Sequence, residues 1–119
     1  MSIKLRVTIM SGVEDGRQIV LVLGKHGILQ DNAWTLSIGR SDENAIWLRY
    51  DTFTSRFHAL LTWRESDWWL EDKNSTNGSF IENPDDFFDD LRIVGRIQID
   101  IQRMLRIGKT WLWLEVETL

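Results

Sequence analysis

Apolar residues recur at every second position of this chain, in runs too short to be helices. Ile3, Leu5, Val7 and Ile9 alternate with Lys4, Arg6 and Thr8. On an extended backbone successive side chains point to opposite faces, so this alternation describes a half-buried strand. Ile19, Leu21 and Leu23 repeat the pattern, with Val20 and Val22 on the other face. Further short runs follow at 34–38, 45–48, 57–63, 68–71, 79–81, 97–101, 105–107 and 112–116. Turn residues separate them, among them Glu14-Asp15-Gly16, Asn77-Gly78 and Gly108. Residues 24–32 read as a loop, and 85–91 has room for no more than a short helical turn. Short strands spaced roughly 11 residues apart define an all-β sandwich or barrel. The expectation is one domain over residues 1–119, with no repeat and no linker.

Composition narrows the chemistry. The 119 residues are 43% hydrophobic, enough for a core of their own. Cysteine is absent, which excludes disulfides, thiolate metal sites and cysteine nucleophiles. The two histidines, His26 and His58, supply few ligands, so neither a metal nor a cofactor is expected. A net charge of −4 argues against bulk nucleic-acid binding, which needs clustered positive charge. No apolar run approaches the ~20 residues of a membrane span. The first residues lack a signal-peptide core, so the expected location is the cytoplasm. The seven tryptophans are expected mostly in the core. Residues 82–90 carry five acids and no base. They read as a solvated loop that Phe87 and Phe88 would pin to the body.

Two kinds of chemistry compete for the polar loops. Ser55, His58 and Asp51 suggest a hydrolase triad. That reading lacks the Gly-x-Ser-x-Gly elbow, and residues three apart on an extended chain face opposite ways. Anion capture fits better. Gly39-Arg40-Ser41 ends one strand, Thr54-Ser55-Arg56-Phe57-His58 opens another, and Asn74-Ser75-Thr76-Asn77-Gly78 precedes a third. Together they offer guanidinium, hydroxyl, carboxamide and backbone N–H donors, the groups that hold a phosphate dianion. Positive potential would have to be local, from Arg40, Arg56 and either Lys73 or Arg49.

The order Gly39-Arg40, Ser55-x-x-His58, Asn77-Gly78 resembles the forkhead-associated (FHA) domain family. The Asp15-Gly16-Arg17 turn, Asn44-Ala45-Ile46 and Leu105-Arg106-Ile107-Gly108 extend the resemblance over nearly the whole chain. It implies a sandwich of two twisted, mainly antiparallel sheets of ten to eleven strands. It also implies a phosphothreonine-dependent peptide-binding module, not an enzyme, whose partner is a phosphorylated kinase or kinase substrate. By the same resemblance Arg40, Ser55, Arg56 and Thr76 would contact phosphate, and Asn77 would hold the peptide backbone. Gly39 and Gly78 would permit tight turns, and His58 would be structural. The chain departs from the family at Glu82, where a loop-bracing Asn is common, and lacks a Gly-Asp turn near Asp100. The competing reading is a phosphorylation-independent interaction module using a tryptophan face or the acidic loop. Trp68 and Trp69 would face opposite ways on a strand, so that one of them is exposed.

Overall fold

The computed structural model describes residues 2–86 and 88–119. Its elements are β1 (Ile3–Ile9), β2 (Gln18–Val22), β3 (Ile28–Gln30), β4 (Ala33–Gly39), β5 (Ile46–Trp47) and β6 (Ala59–Arg64), followed by β7 (Asp67–Asp72), β8 (Ser79–Ile81), β9 (Leu91–Ile93), β10 (Arg96–Ile99), β11 (Leu105–Ile107) and β12 (Thr110–Thr118). They form two six-stranded sheets, ordered β2-β1-β12-β11-β8-β9 and β10-β7-β6-β4-β3, with β5 beside β4. Every pairing between these strands is antiparallel except β4 with β5.

The alternation read in the sequence is the alternation of burial. Ile3, Leu5, Val7 and Ile9 are all buried, and Lys4, Arg6 and Thr8 are not. Across the ladder Val7 meets Leu114 and Ile9 meets Leu112. The second sheet supplies Trp34, Leu36, Ile38, Leu61 and Leu70, which close the core from the other side. Burial of this apolar area, at roughly 25 cal/mol per Å², drives the two sheets together.

Among the described residues twelve strands stand where about ten to eleven were expected. The additional ones are β3, inside the stretch read as a loop, and β9, which starts at the last residue of the segment given room for a helical turn and runs on through residues assigned no element. Neither alternates in burial: Ile28, Leu29 and Gln30 are all exposed, and Leu91 and Arg92 are too. Both are edge strands, held by backbone pairing on one side. Their periodicity is therefore silent.

Other local expectations shift. Phe57 does not continue the face of β6; it is 53% exposed in the loop before the strand. Phe88 pins nothing, being fully exposed, and Phe87 lies outside the described residues. Only Trp34 and Trp68 among the tryptophans are buried; Trp63, opposite both in the ladder, packs against the core while half covered, and Trp47, Trp69, Trp111 and Trp113 are half covered outside it. Trp68 tilts against Trp34 at 6.2 Å, while Trp69 is partly covered beneath the Arg96 guanidinium at 5.2 Å. Glu82 braces the loop where the FHA pattern has Asn: its carboxylate accepts from Met104 N at 2.7 Å, and its own N–H donates to Met104 O.

Register decides what happens at one end of the sandwich. Ile38 pairs with Ala59, and Ala59 with Asp72, so β4 ends where β6 begins and β7 ends. In the other sheet Ile107 pairs with both Ser79 and Thr110. The segments 40–58, 73–78 and 108–109 leave the strands at this common end. His58 and Thr54, bonded to Gly78 O and Ile107 O, join the sheets there.

Candidate phosphate-binding loops

Three consecutive carbonyls organise the site. Phe53 O accepts from Asn77 Nδ2 at 2.9 Å, Thr54 O from Arg40 Nε at 3.1 Å, and Ser55 O from Arg40 N at 3.0 Å. Arg40 and Asn77, from different loops, thus grip neighbouring peptide units of one segment. Thr76 N donates to Ser55 Oγ at 3.3 Å, which places Ser55 between them. The structure therefore brings Arg40, Ser55, Thr76 and Asn77 to one rim.

The donors left over face outward. Arg40 is exposed and uses only Nε internally, leaving the two terminal nitrogens of its fork without a protein acceptor among the described residues. No carboxylate pairs with it there. Ser55 Oγ accepts from Thr76, so its hydroxyl proton remains available to donate. Asn77 keeps one N–H and its carbonyl oxygen. Arg56 is exposed, and it serves the loop through its backbone: Arg56 O accepts from Ser41 N and from Asn44 Nδ2. Lys73 and Arg49 are not free charges. Lys73 lies 3.8 Å from Glu71, and Arg49 pairs with Glu14 while stacking on Trp47 and Tyr50.

Gly39 and Gly78 are needed for different reasons. Gly78 sits at φ +90°, where L side chains are strained. Gly39 has no such φ; a Cβ there would collide with Arg56 O and come within 2.7 Å of Asn44 Nδ2. The expectation that Gly39 permits a tight turn is corrected: it permits two loops to touch.

His58 is wholly buried, and both ring nitrogens are engaged. Ser55 N–H donates to Nδ1 at 3.0 Å, and Nε2 donates to Gly78 O at 2.9 Å. That assigns the neutral Nε2–H tautomer. Burial pushes its pKa below 6.5, against the opposing pull of Gly78 O and the charges of Asp72 and Asp51. With Nδ1 occupied by a backbone amide, the ring is not placed to take a proton from Ser55 Oγ. The triad geometry is not formed: the bonds of Asp51 run to Phe53 N, Lys109 N and Thr110 Oγ1, not to His58.

Sequence reading passed over three bracing residues. Asn44, Asp72 and Ser75 fix the loops from below; Asn44 and Ser75 lie in segments already singled out but with no bracing role assigned, and Asp72 lies in none. Asn44 Nδ2 spans Ser41 O and Arg56 O, tying the Arg40 loop to the Ser55 loop. Asp72 accepts from Ser75 N, Ser75 Oγ and Ser79 Oγ. Burial raises its pKa, but these donors and nearby His58 outweigh it and hold the carboxyl below 3.8. The available signal was Asp72 at the end of an otherwise alternating strand, followed at once by Ser75 and Ser79.

A family model for the FHA domain matches residues 36–108, which include every one of these loops. The chain belongs to the FHA-domain family. The FHA domain-containing protein FhaB of Mycobacterium tuberculosis is 34% identical over 73 residues, 61% of this chain and 42% of that protein. FhaB of Mycolicibacterium smegmatis is 36% identical over the same shares. The matched stretch thus spans less than half the length of these relatives. A solved FHA domain from work on phosphothreonine-dependent FHA interactions covers 100% of both chains, with 24% identity and a TM-score of 0.67. The FHA domain of an Arabidopsis thaliana protein gives a TM-score of 0.72 at 19% identity, covering 98% of this chain and 87% of that one. EmbR of Mycobacterium tuberculosis, solved with a low-affinity phosphopeptide, gives 0.66 at 20% identity over 94% of this chain and 24% of its own. At these identities the structures establish a shared fold.

Proposed function

We propose that this FHA domain reads phosphothreonine in a protein partner, as a binding module downstream of a serine/threonine kinase. The observation that carries this reading is the rim itself. Arg40 and Asn77 are anchored on consecutive carbonyls of the segment that carries Ser55, Ser55 Oγ receives the Thr76 N–H, and all three side chains still present outward donors. A phosphate ester brings about −1.5 to −2 charge and three strong acceptors, which such a rim satisfies. Arg40 supplies the charge-assisted fork, Ser55 Oγ and Thr76 the orientation, and Arg56 stands next to them as a second cation. Asn77 holds the peptide main chain through its remaining amide groups. The anchoring matters because pre-placed donors spend little entropy on binding.

The reading extends to setting. Residues 1–119 act as one phosphopeptide-binding unit that works without a cofactor, in the cytoplasm alongside its kinase. EmbR, which shares the fold and was solved with a phosphopeptide, and the solved FHA domain from work on phosphothreonine-dependent interactions support the ligand class. Replacing Arg40 with Ala should cost about 2–5 kcal/mol of phosphopeptide binding, as for removal of one partner of a desolvated charge pair. Titration calorimetry with a phosphothreonine peptide, against its unphosphorylated twin, measures this. Affinity unchanged in the variant, or equal for both peptides, refutes the assignment.

A further inference from the structure

The carboxylate of Asp51 touches none of the outward donors, yet it lies at the root of the segment that carries them. Its Oδ1 accepts from Phe53 N at 2.9 Å. Its Oδ2 accepts from Lys109 N at 2.9 Å and from Thr110 Oγ1 at 2.7 Å. One side chain therefore clamps the 51–54 turn to the β11–β12 turn of the opposite sheet, across 58 residues of sequence. Burial raises the pKa of Asp51, but the Thr110, Lys109, Thr54 and Phe53 donors overcome it and keep the carboxyl below 3.8. The clamp is charged at neutral pH.

The next links run directly to the rim. The residue whose N–H Asp51 holds, Phe53, offers its carbonyl to Asn77 Nδ2. The following carbonyl, of Thr54, meets Arg40 Nε. Gly108 lies against the same turn, and its N–H donates to Gly78 O, the carbonyl that His58 also engages. Lys109 closes the outside, with Nζ 3.8 Å from the centre of the Phe53 ring. If Phe53 rotated about its backbone, its carbonyl would leave Asn77 and the carboxamide would swing free.

We propose that Asp51 is a positioning residue of the phosphothreonine site: it aims the Phe53 carbonyl so that Asn77 stands ready for the peptide backbone. This rests on the phosphothreonine reading for its functional consequence, though not for its geometry. Asp51 does not itself touch ligand. Its oxygens are engaged by inward donors, and a second anion at the rim would repel phosphate. Asparagine cannot replace it. A carboxamide has one acceptor oxygen, so either Phe53 N or the Lys109–Thr110 pair would face an N–H donor instead.

The test is a double-mutant cycle on Asp51→Asn and Asn77→Ala, read by phosphothreonine-peptide affinity at a temperature where both are folded. Asp51→Asn should weaken binding about tenfold, and adding it to Asn77→Ala should cost almost nothing more, because the two act through one contact. Losses that multiply would mean Asp51 only stabilises the fold, and overturn the proposal; so would an unchanged affinity in Asp51→Asn. Thr110→Val removes a single donor from the clamp and serves if the asparagine variant does not fold; it should show the same non-additivity with Asn77→Ala. A second readout needs no ligand. The Asn77 side-chain amide resonances should move toward free-amide values in Asp51→Asn, and their staying in place also overturns the proposal. Should the wild-type chain bind no phosphothreonine peptide, the functional reading fails, while the Asn77 resonances still decide the positioning.

Discussion

At the scale of single residues, the site is a matter of which atoms are already engaged. Arg40 is effective because Nε is committed to Thr54 O while the far edge of the fork is not. Ser55 splits its hydroxyl in the same way, accepting from Thr76 and keeping a proton to give. Gly39 shows how little room there is beneath them. Gly39→Ala should destabilise the domain by about 1–3 kcal/mol, the usual cost of forcing atoms into a packed contact. Phosphopeptide affinity should fall with it, since the new methyl pushes on Arg56 O and the loop that holds Ser55. Urea unfolding and calorimetry on the same preparation check both; an unchanged unfolding midpoint would show that the loops separate freely. The order of the motifs, through its resemblance to the FHA family, pointed to Arg40, Ser55, Arg56, Thr76 and Asn77. It did not show that the partners of Arg40 and Asn77 are the carbonyls of residues 53 to 55, because a backbone acceptor has no sequence signature.

At the scale of elements, strands whose two faces differ in burial were legible, the edge strands β2 and β10 among them, and the short edge strands β3 and β9 were not. β1 and β12 alternate because one face of each meets the opposite sheet, so burial is written into every second residue. β3 and β9 have little such demand, and only their backbone ladders make them strands. The turn between β7 and β8 belongs to this scale too. Asp72, Ser75 and Ser79 form a small polar knot that shapes 73–78 and so aims Thr76 and Asn77. Asp72→Ala strands three donors, and hydrogen bonds to a charged group contribute ~1.5–3 kcal/mol each where buried. Because Asp72 is only partly buried, the expected total is about 2–3 kcal/mol, with peptide affinity falling alongside. Chemical denaturation together with peptide titration measures it. A stability loss with affinity intact would mean the knot does not set the loop.

At the scale of the whole molecule, the site closes the seam between two sheets, so its protonation and the stability of the sandwich are linked. His58 has a folded pKa below 6.5, and the folded state therefore takes up fewer protons than the unfolded chain as pH falls through that value. Its contribution is fully present above 6.5 and is lost on acidification. Protonating Nδ1 would also expel the Ser55 N–H from its acceptor. Asp51 and Asp72 have the same sign at lower pH: both are held below 3.8, so their stabilisation persists above that value and disappears as pH drops beneath it. The urea midpoint should thus decline in two stages, first below about pH 6.5 and again below about pH 3.8. His58→Gln should abolish the first stage; a midpoint flat from neutral pH to about pH 5 would contradict the depressed pKa.

Sequence by itself determined the sandwich and the inventory of donors. Period-two burial needs only local alternation, and the spacing of Gly39-Arg40, Ser55-x-x-His58 and Asn77-Gly78 is a property of the chain read in order. Convergence is different. Strand alternation says which face a side chain takes, not at which end of a sheet a loop emerges. That was decided by register, Ile38 opposite Ala59 and Ile107 opposite Ser79, and by the bonds of His58, Thr54 and Asp51 that draw the two sheets into one rim.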